Sequence, residues 1–132
     1  MKRIIMNSAS GLKNGRFPGM NEYTAANRTN YHVGAAMKRN AQSAVMWAIR
    51  QQKPGKIMMP VVVHFRFYEP NRKRDLDNIS GFAHKVILDA LVATRTIPGD
   101  GWKHVRGYSD AFYCDPDNPR IEVYLEEVPD SG

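Results

Sequence analysis

The sequence predicts an α+β fold, in which residues 1–132 form a single domain with a mixed β-sheet packed against two main helices. Two segments have apolar residues at helical spacing, and four have the composition or alternation of strands. In chain order they run strand, helix, strand, helix, strand, strand, an order that favours this fold class. The chain has 132 residues, 42% of them hydrophobic, and this suffices for one modest core.

The first half of the chain is predicted to form two strands and one helix. Residues 1–6 are a candidate strand, and glycine and proline make residues 11–23 (GLKNGRFPGMNEY) a predicted loop. Residues 31–52 repeat apolar side chains every three or four positions, which predicts a helix that ends before Pro54 and Gly55. Residues 57–68 alternate as a strand, with Val61, Val63, Phe65 and Phe67 on one face and Val62, His64, Arg66 and Tyr68 on the other.

The second half is predicted to form a helix followed by two strands. Residues 78–94 have the apolar stripe of a helix, and Pro98 and Gly99 begin a turn after it. Residues 105–114 and 120–128 are predicted strands. The segment 115–119 (DPDNP) is rich in turn residues, so the two strands are expected to form a hairpin.

The charge changes sign in the middle of the chain. Residues 1–74 contain 14 lysines and arginines but only two acids, Glu22 and Glu69, which is a net charge of +12. Residues 75–132 contain 5 basic and 11 acidic residues, which is a net charge of −6. A strongly basic segment favours nucleic acid or an anionic membrane surface as partner, and a solvated basic face is the alternative.

Cysteine content and hydropathy predict a cytoplasmic protein with no membrane association. Cys114 is the single cysteine, so it cannot form an internal disulfide, and no zinc-site spacing surrounds it. No apolar run approaches the ~18 residues of a membrane span. The apolar run after the basic N-terminus is too short for a secretory signal.

The motif RKRDLDN contains two carboxylates, Asp75 and Asp77, which have three possible interpretations. Asp77 or Asn78 could cap the following helix. A calcium loop is excluded, because its glycine and glutamate positions are occupied by Ser80 and Val86. The third interpretation is a magnesium site for phosphodiester chemistry, since Mg²⁺ binds through a few carboxylates together with water and substrate phosphate.

A magnesium site would need a further acid from elsewhere in the chain. The best candidate is Asp100, since the glycines on both sides of it let the backbone approach a ligand closely. Asp89, on the helix itself, is a second candidate. Lys85 could stabilise developing charge near the metal; alternatively, Lys85 and Asp89 form an ordinary salt bridge across one helical turn.

These motifs resemble the RusA family of Holliday-junction resolvases of bacteria and prophages. The resemblance lies in RKRDLDNISGFAHKVILDALV and IPGDGWKHV, and extends to GRFPGMNEY and NPRIEVYLEE, so it covers most of the chain. D-L-D-N followed by K-x-x-x-D-A-L is its most specific part. The resemblance implies a RusA-like fold and a homodimeric, Mg²⁺-dependent endodeoxyribonuclease for which Mn²⁺ can substitute. It further implies paired hydrolysis of four-way DNA junctions in recombination and repair, in the bacterial cytoplasm.

The resemblance also implies which residues form the active site. Asp75, Asp77 and Asp100 correspond to the metal ligands, and Lys85 to the catalytic lysine. In the best-known members the lysine follows the second aspartate by about four residues, which is roughly one helical turn. Here Lys85 follows Asp77 by eight residues, and Gly81 occupies the nearer position. The turn after the helix also has Gly99-Asp100 at a place where two consecutive acids are common in the family.

Several basic and polar residues are predicted to bind DNA: Arg72, Lys73, Arg74, Arg16, Asn21, Lys38 and Arg39. The first three adjoin the acids and are predicted phosphate contacts, with a solvated loop as the alternative. Asn21 either contacts DNA or holds its loop.

Four further side chains have weaker indications of function. His64 and Arg66 either line the site or belong to a second buried layer. His84 is predicted to be exposed, because it lies about 100° around the helix from Lys85. Trp102 is predicted to be a core or interface anchor rather than a base-stacking residue.

The sequence therefore favours a metal-dependent endonuclease that acts on branched DNA. Water activated at Mg²⁺ would attack the phosphodiester, and the basic surface would provide affinity largely independent of base sequence. Two alternatives remain. One is a non-catalytic branched-DNA-binding protein, and the other is an RNA-directed metal-dependent nuclease.

Overall fold

The structure, a computed structural model that describes residues 1–129, contains four strands and three helices within that range. In chain order these elements are β1 (Lys2–Met6), α1 (Met20–Thr29), α2 (Tyr31–Gln52), β2 (Val61–Glu69), α3 (Leu76–Ala93), β3 (Val105–Cys114) and β4 (Arg120–Glu127). The predicted α+β class, with one mixed sheet in a single domain, is confirmed. None of the helices in residues 1–129 is long and apolar enough to cross a membrane.

The four strands form one sheet in the order β1-β4-β2-β3. The strands β2 and β3 are parallel, whereas β4 is antiparallel to both of its neighbours, β1 and β2. The prediction that the last two strands form a hairpin is therefore wrong. Residues 115–119 instead carry the chain across the end of β2, where the Asp115 amide donates a 2.8 Å hydrogen bond to the Glu69 carbonyl.

Burial explains why β4 occupies the interior of the sheet. Its side chains Ile121, Val123 and Leu125 are buried, whereas every residue of β3 is exposed or half-buried. A strand with a continuous apolar face gains most from neighbours on both sides, and the more polar β3 is suited to an edge.

The helices cover one face of the sheet only. The predicted alternation of β2 is confirmed, because Val61, Val63, Phe65 and Phe67 are buried in the core while the intervening residues remain half-buried or exposed. Apolar stripes of α2 and α3 complete the core, and both helices lie within two residues of their predicted bounds. Burial on this scale, at roughly 25 cal/mol per Å² of apolar surface, is the main stabilising contribution to the fold.

The helix α1 was not predicted, and it begins within the expected loop. Its N-cap residue Gly19 has no side chain to accept a hydrogen bond. Two other residues supply acceptors: Glu22 accepts from the Gly19 amide at 3.3 Å, and Asn78 of α3 accepts from the Asn21 amide at 2.8 Å. Because one of these caps comes from a distant helix, local pattern does not reveal it.

The segment from β2 through α3 to β3 is a parallel strand–helix–strand unit. The first turn of α3 therefore follows the end of β2, and the last turn lies near the starts of β2 and β3. This arrangement sets the positions of the predicted site residues.

Candidate functional site

Asp75 and Asp77 lie two residues apart at the N-terminus of α3, and both are exposed. Asp75 occupies the N-cap position, but its side chain makes no capping hydrogen bond. Asp77 lies in the first turn, where its Oδ1 accepts from the Asn78 amide at 2.9 Å. Neither Asp77 nor Asn78 therefore occupies the N-cap position considered for them, although Asp77 does accept from a first-turn amide. The N-terminal end of the helix dipole favours negative charge at both positions.

Asp100 lies at the opposite end of α3. The segment after the helix returns to the start of β2, where the carbonyls of Thr96 and His104 accept from Ile57 and Val61. With 18 residues in α3, the two ends of this helix are about 27 Å apart. One chain therefore does not bring Asp100 together with Asp75 and Asp77. Residues 1–129 likewise contain no group of three or more potential metal-binding side chains.

Asp89 and Lys85 lie farther along α3 and form an ionic cluster of their own. The Asp89 carboxylate is 3.1 Å from Lys38 Nζ and 3.3 Å from Lys85 Nζ. The salt bridge proposed for Lys85 and Asp89 is thus present, and a second lysine joins it. Asp89 is twelve residues beyond Asp77, about 18 Å along the axis, so the chain does not place it with the acid pair.

Gly81, the nearer of the two candidate lysine positions, is in close contact with α1. A Cβ at Gly81 would lie 3.1 Å from the terminal methyl of Met20. A longer side chain would have to displace that methionine, because the first turn of α1 lies against this turn of α3. Gly81 therefore supplies no cation at this level of the helix, and the space beside it is occupied by Met20.

Arg72 and Lys73 are exposed on the loop before α3, which fits both a phosphate contact and a solvated loop, so their DNA-binding role stays a prediction. The loop is held by Asn71, whose side chain accepts from the Lys73 amide at 3.0 Å. Arg39 is also exposed, on α2, and Asn21 is exposed at the start of α1. The Asn21 backbone binds Asn78 directly, so this residue lies beside the first turn of α3.

Arg74 does not extend outward with its neighbours, contrary to its predicted role as a phosphate contact. Its guanidinium forms two 3.0 Å hydrogen bonds to the Glu69 carboxylate and one to the Phe17 carbonyl. Arg16 reaches the same carboxylate at 3.4 Å. Glu69 is only 5% exposed, and a buried carboxylate requires cationic or hydrogen-bonding partners. Arg74 and Arg16 are therefore committed to holding the residue 11–19 loop against the end of β2.

Sequence reasoning missed the role of Glu69. A signal was present, because strand alternation places Glu69 on the same face as Phe65 and Phe67. An acid on a core face, within a region that has only one other acid, requires a nearby cation. The arginine five residues later supplies it.

The opposite face of the sheet carries a separate polar and aromatic cluster. His64 Nε2 lies 2.8 Å from Glu126, and the Arg66 guanidinium lies 4.3 Å from the centre of the Tyr124 ring. The acid pair lies at the start of α3, which packs on the other face. His64 and Arg66 therefore neither line the predicted site nor form a second buried layer.

Glu122 is the buried acid of that second cluster. Burial raises its pKa, but hydrogen bonds from Tyr124 and Arg120 outweigh this and hold the pKa of Glu122 below its usual range. The hydrogen bond to Glu122 also raises the pKa of the Arg120 guanidinium, although burial lowers it. This cluster stabilises the sheet and contains no uncommitted acid pair.

Two remaining side chains differ from expectation. His84 is half-buried rather than exposed, since its Nε2 lies 2.7 Å from Asp110 and its ring stacks on Tyr108. Trp102 is 94% exposed, so it is not a core residue, and the interface role stays a prediction.

No protein-family model matches the chain, and no curated protein matches it. The resemblance to RusA resolvases therefore rests on the motif residues themselves.

Proposed function

We propose that this protein is a Mg²⁺-dependent endonuclease that acts on branched DNA. The observation that carries the proposal is the exposed pair Asp75 and Asp77 at the N-terminus of α3, directly beside Arg72 and Lys73. Acids and cations in one exposed loop suit a site that holds a divalent ion and a phosphate together. The RusA resemblance of the same motif points to the same chemistry.

The acid pair fits a magnesium site of the kind that uses few protein ligands. Such sites bind the ion through one or two carboxylates and leave the other positions to water and substrate phosphate. The Asp75 side chain is not engaged in capping, and Asp77 uses one oxygen for the Asn78 amide. When bound, Mg²⁺ supplies an activated water and neutralises charge on the phosphate oxygens. Asp75 and Asp77 would hold the ion, and Arg72 and Lys73 would bind the phosphates on either side.

A third acid would have to come from a second copy of the chain. Among residues 1–129, β3 pairs only with β2, so its outer edge has unpaired backbone groups. The strand β3 ends beside Glu69, at the Asp75 end of the sheet, and starts just after Asp100. An antiparallel copy added along this edge would therefore bring its Asp100 towards Asp75 and Asp77. Two such sites in one homodimer would provide the paired cleavage that the resemblance implies.

The decisive experiment is a cleavage assay on a four-way DNA junction, a linear duplex and single-stranded RNA, with Mg²⁺ or EDTA. We expect junction cleavage in Mg²⁺ only, and Asp77→Asn should abolish cutting while retaining junction binding. Glu127→Gln, which removes an exposed acid at the other end of the sheet, is the matched control and should cut normally. Junction binding without nicking in any divalent metal would favour a non-catalytic binding protein, and cutting of RNA alone would favour an RNA-directed nuclease.

Subunit mixing tests the shared site separately. Asp75→Asn and Asp100→Asn chains should each be inactive alone. If the site is shared, a mixed dimer contains one fully wild-type site, so co-refolded chains should nick junctions. If all three acids acted within one chain, both sites of the mixed dimer would be defective and mixing would restore nothing.

A further inference from the structure

A cavity of about 730 Å³ lies between the residue 11–18 loop and the helices α1 and α2. It is a separate feature from the acid pair, and its volume is within the range of roughly 300–1,000 Å³ that is typical of small-ligand sites. It exists because α1, together with the loop before it, stands against the N-terminal half of α2. The sequence patterns did not indicate it.

The inner walls of the cavity are apolar. They are formed by Leu12 and Phe17 from the loop and by Val33, Ala36 and Met37 from α2. Phe17 is fixed in the core, where its ring meets Phe82 edge-on at 6.2 Å, whereas Val33 is 47% exposed. The cavity therefore has a rigid floor and an open, apolar side wall, which suits a flat ligand with limited polarity.

The rim of the cavity is polar. Lys13 and His32 are exposed there, Arg16 is half-buried and bound to Glu69, and Glu22 is the one acid among the lining residues. The Glu22 carboxylate is engaged by the Gly19 amide at 3.3 Å and lies 4.0 Å from Arg74. The exposed Lys13 ammonium, which is not engaged with Glu69 as Arg16 is, favours a ligand that carries an anionic group beside its apolar part.

The cavity lies next to the acid pair. Phe17, in its wall, binds Arg74 through its carbonyl at 3.0 Å, and Arg74 directly precedes Asp75. The start of α1, which carries Glu22 of the rim, is tied to α3 by the 2.8 Å bond between Asn21 and Asn78. A DNA strand bound at the acid pair would therefore pass close to the mouth of the cavity.

We propose that this cavity binds one unstacked nucleotide of the DNA substrate, with the base against Val33 and Met37 and its phosphate near Lys13 and His32. The inference rests on the proposed function and adds a reason for a preference for branched DNA. Extruding a base from a duplex costs unstacking and unpairing energy, and the cost is lowest where the base is already unpaired or single-stranded. Base stacking is interrupted where the arms of a junction meet, so a base there is extruded at lower cost than a base inside a regular duplex.

The test is an NMR titration of the ¹⁵N-labelled full chain with the single-stranded trinucleotide d(TAT), which needs no cleavage. We expect saturable amide shifts at Phe17, Val33 and Met37. Ala36→Phe, which fills the cavity, should weaken binding about tenfold or more. Ser43→Phe, which adds the same ring at an exposed site of α2 outside the cavity, should bind within about twofold of wild type.

Two further variants show whether a loss of trinucleotide binding comes from the cavity. Lys13→Ala changes only an exposed side chain and should weaken binding severalfold even if Ala36→Phe does not fold. Asp77→Asn should bind the trinucleotide normally, so loss of the metal site and loss of the cavity are distinguishable. Absence of shifts at the cavity, or equal binding by wild type and a folded Ala36→Phe, would overturn the proposal whether or not junctions are cut.

Discussion

The acids in the first turn of α3 and the acid near its other end differ in their surroundings. Asp75 and Asp77 are exposed, and the Asp75 side chain makes no capping bond. Asp89 lies between Lys38 and Lys85 at 3.1 and 3.3 Å. A carboxylate already neutralised by two lysines gains little from a metal ion, whereas an exposed pair at a helix N-terminus remains able to bind one. The comparison shows that the partners of a carboxylate, rather than its presence in a motif, indicate its role.

The largest expected effect is on the rate of junction cleavage, and it separates the exposed acids Asp75 and Asp77 from Asp89. Asp75→Asn should lower the rate of junction cleavage by more than about 1,000-fold, because loss of a metal ligand exceeds the 10–100-fold typical of outer-shell changes. Asp89→Asn should change the rate by less than about threefold. Single-turnover cleavage in Mg²⁺ measures both. Equal losses of cleavage rate for Asp75→Asn and Asp89→Asn would contradict the different roles assigned to these two acids.

The next largest effect is on the free energy of unfolding, and it concerns the buried acid Glu69. Glu69 is 5% exposed and holds Arg74 and Arg16, so Glu69→Ala should lower the free energy of unfolding by about 3 kcal/mol. Asp89→Ala should lower it by less than about 1 kcal/mol, because its lysine partners are more exposed. Urea denaturation monitored by circular dichroism checks both values. A change below 1 kcal/mol for Glu69→Ala would contradict the structural role assigned to this carboxylate.

A smaller effect distinguishes adjacent arginines in one loop. Arg72→Ala should reduce the slope of log binding constant against log salt concentration by about one unit, with no change in stability. Arg74→Ala should instead destabilise the fold, because it leaves the buried Glu69 with only the more distant Arg16. Junction binding at several salt concentrations, beside thermal melting, separates the two. A lowered melting temperature for Arg72→Ala but not for Arg74→Ala would contradict the roles assigned to these two arginines.

The smallest effect is pH-dependent and lies on the other face of the sheet. Because its pKa is lowered in the folded state, Glu122 stabilises the fold above its unfolded pKa and loses that contribution as pH falls through the folded pKa. Tyr124→Phe removes one hydrogen bond to this carboxylate and should cost about 1 kcal/mol at pH 7. The cost should shrink under acid conditions in which Glu122 is protonated in both states. Urea denaturation of wild type and Tyr124→Phe at pH 7 and under those acid conditions tests this. If the stability cost of Tyr124→Phe did not change with pH, the Glu122 carboxylate would be excluded as its origin.

Local pattern predicted α2, α3 and the four strands well, but it missed α1 and the pairing of the strands. The bounds of α2 and β3 agree with prediction, because apolar periodicity and the proline–glycine breaks are properties of neighbouring residues. The pairing of β4 with β1 and β2 was missed, since turn residues suggest a hairpin without excluding a crossing. In the site, Asp75 and Asp77 were predicted at the start of a helix, but the separation of Asp100 from them and the commitment of Arg74 to Glu69 were not.

The sequence by itself determined the fold class, the faces of β2, the change of charge sign near residue 74 and the exposed acids that follow it. These depend on the spacing and chemical type of residues that are close in the chain. Tertiary structure decided that α1 is capped from α3, that β4 lies inside the sheet and that Asp100 lies beyond the opposite end of α3 from Asp75, near the start of β2. Each of these depends on contacts between distant segments, which form only when the whole core is buried.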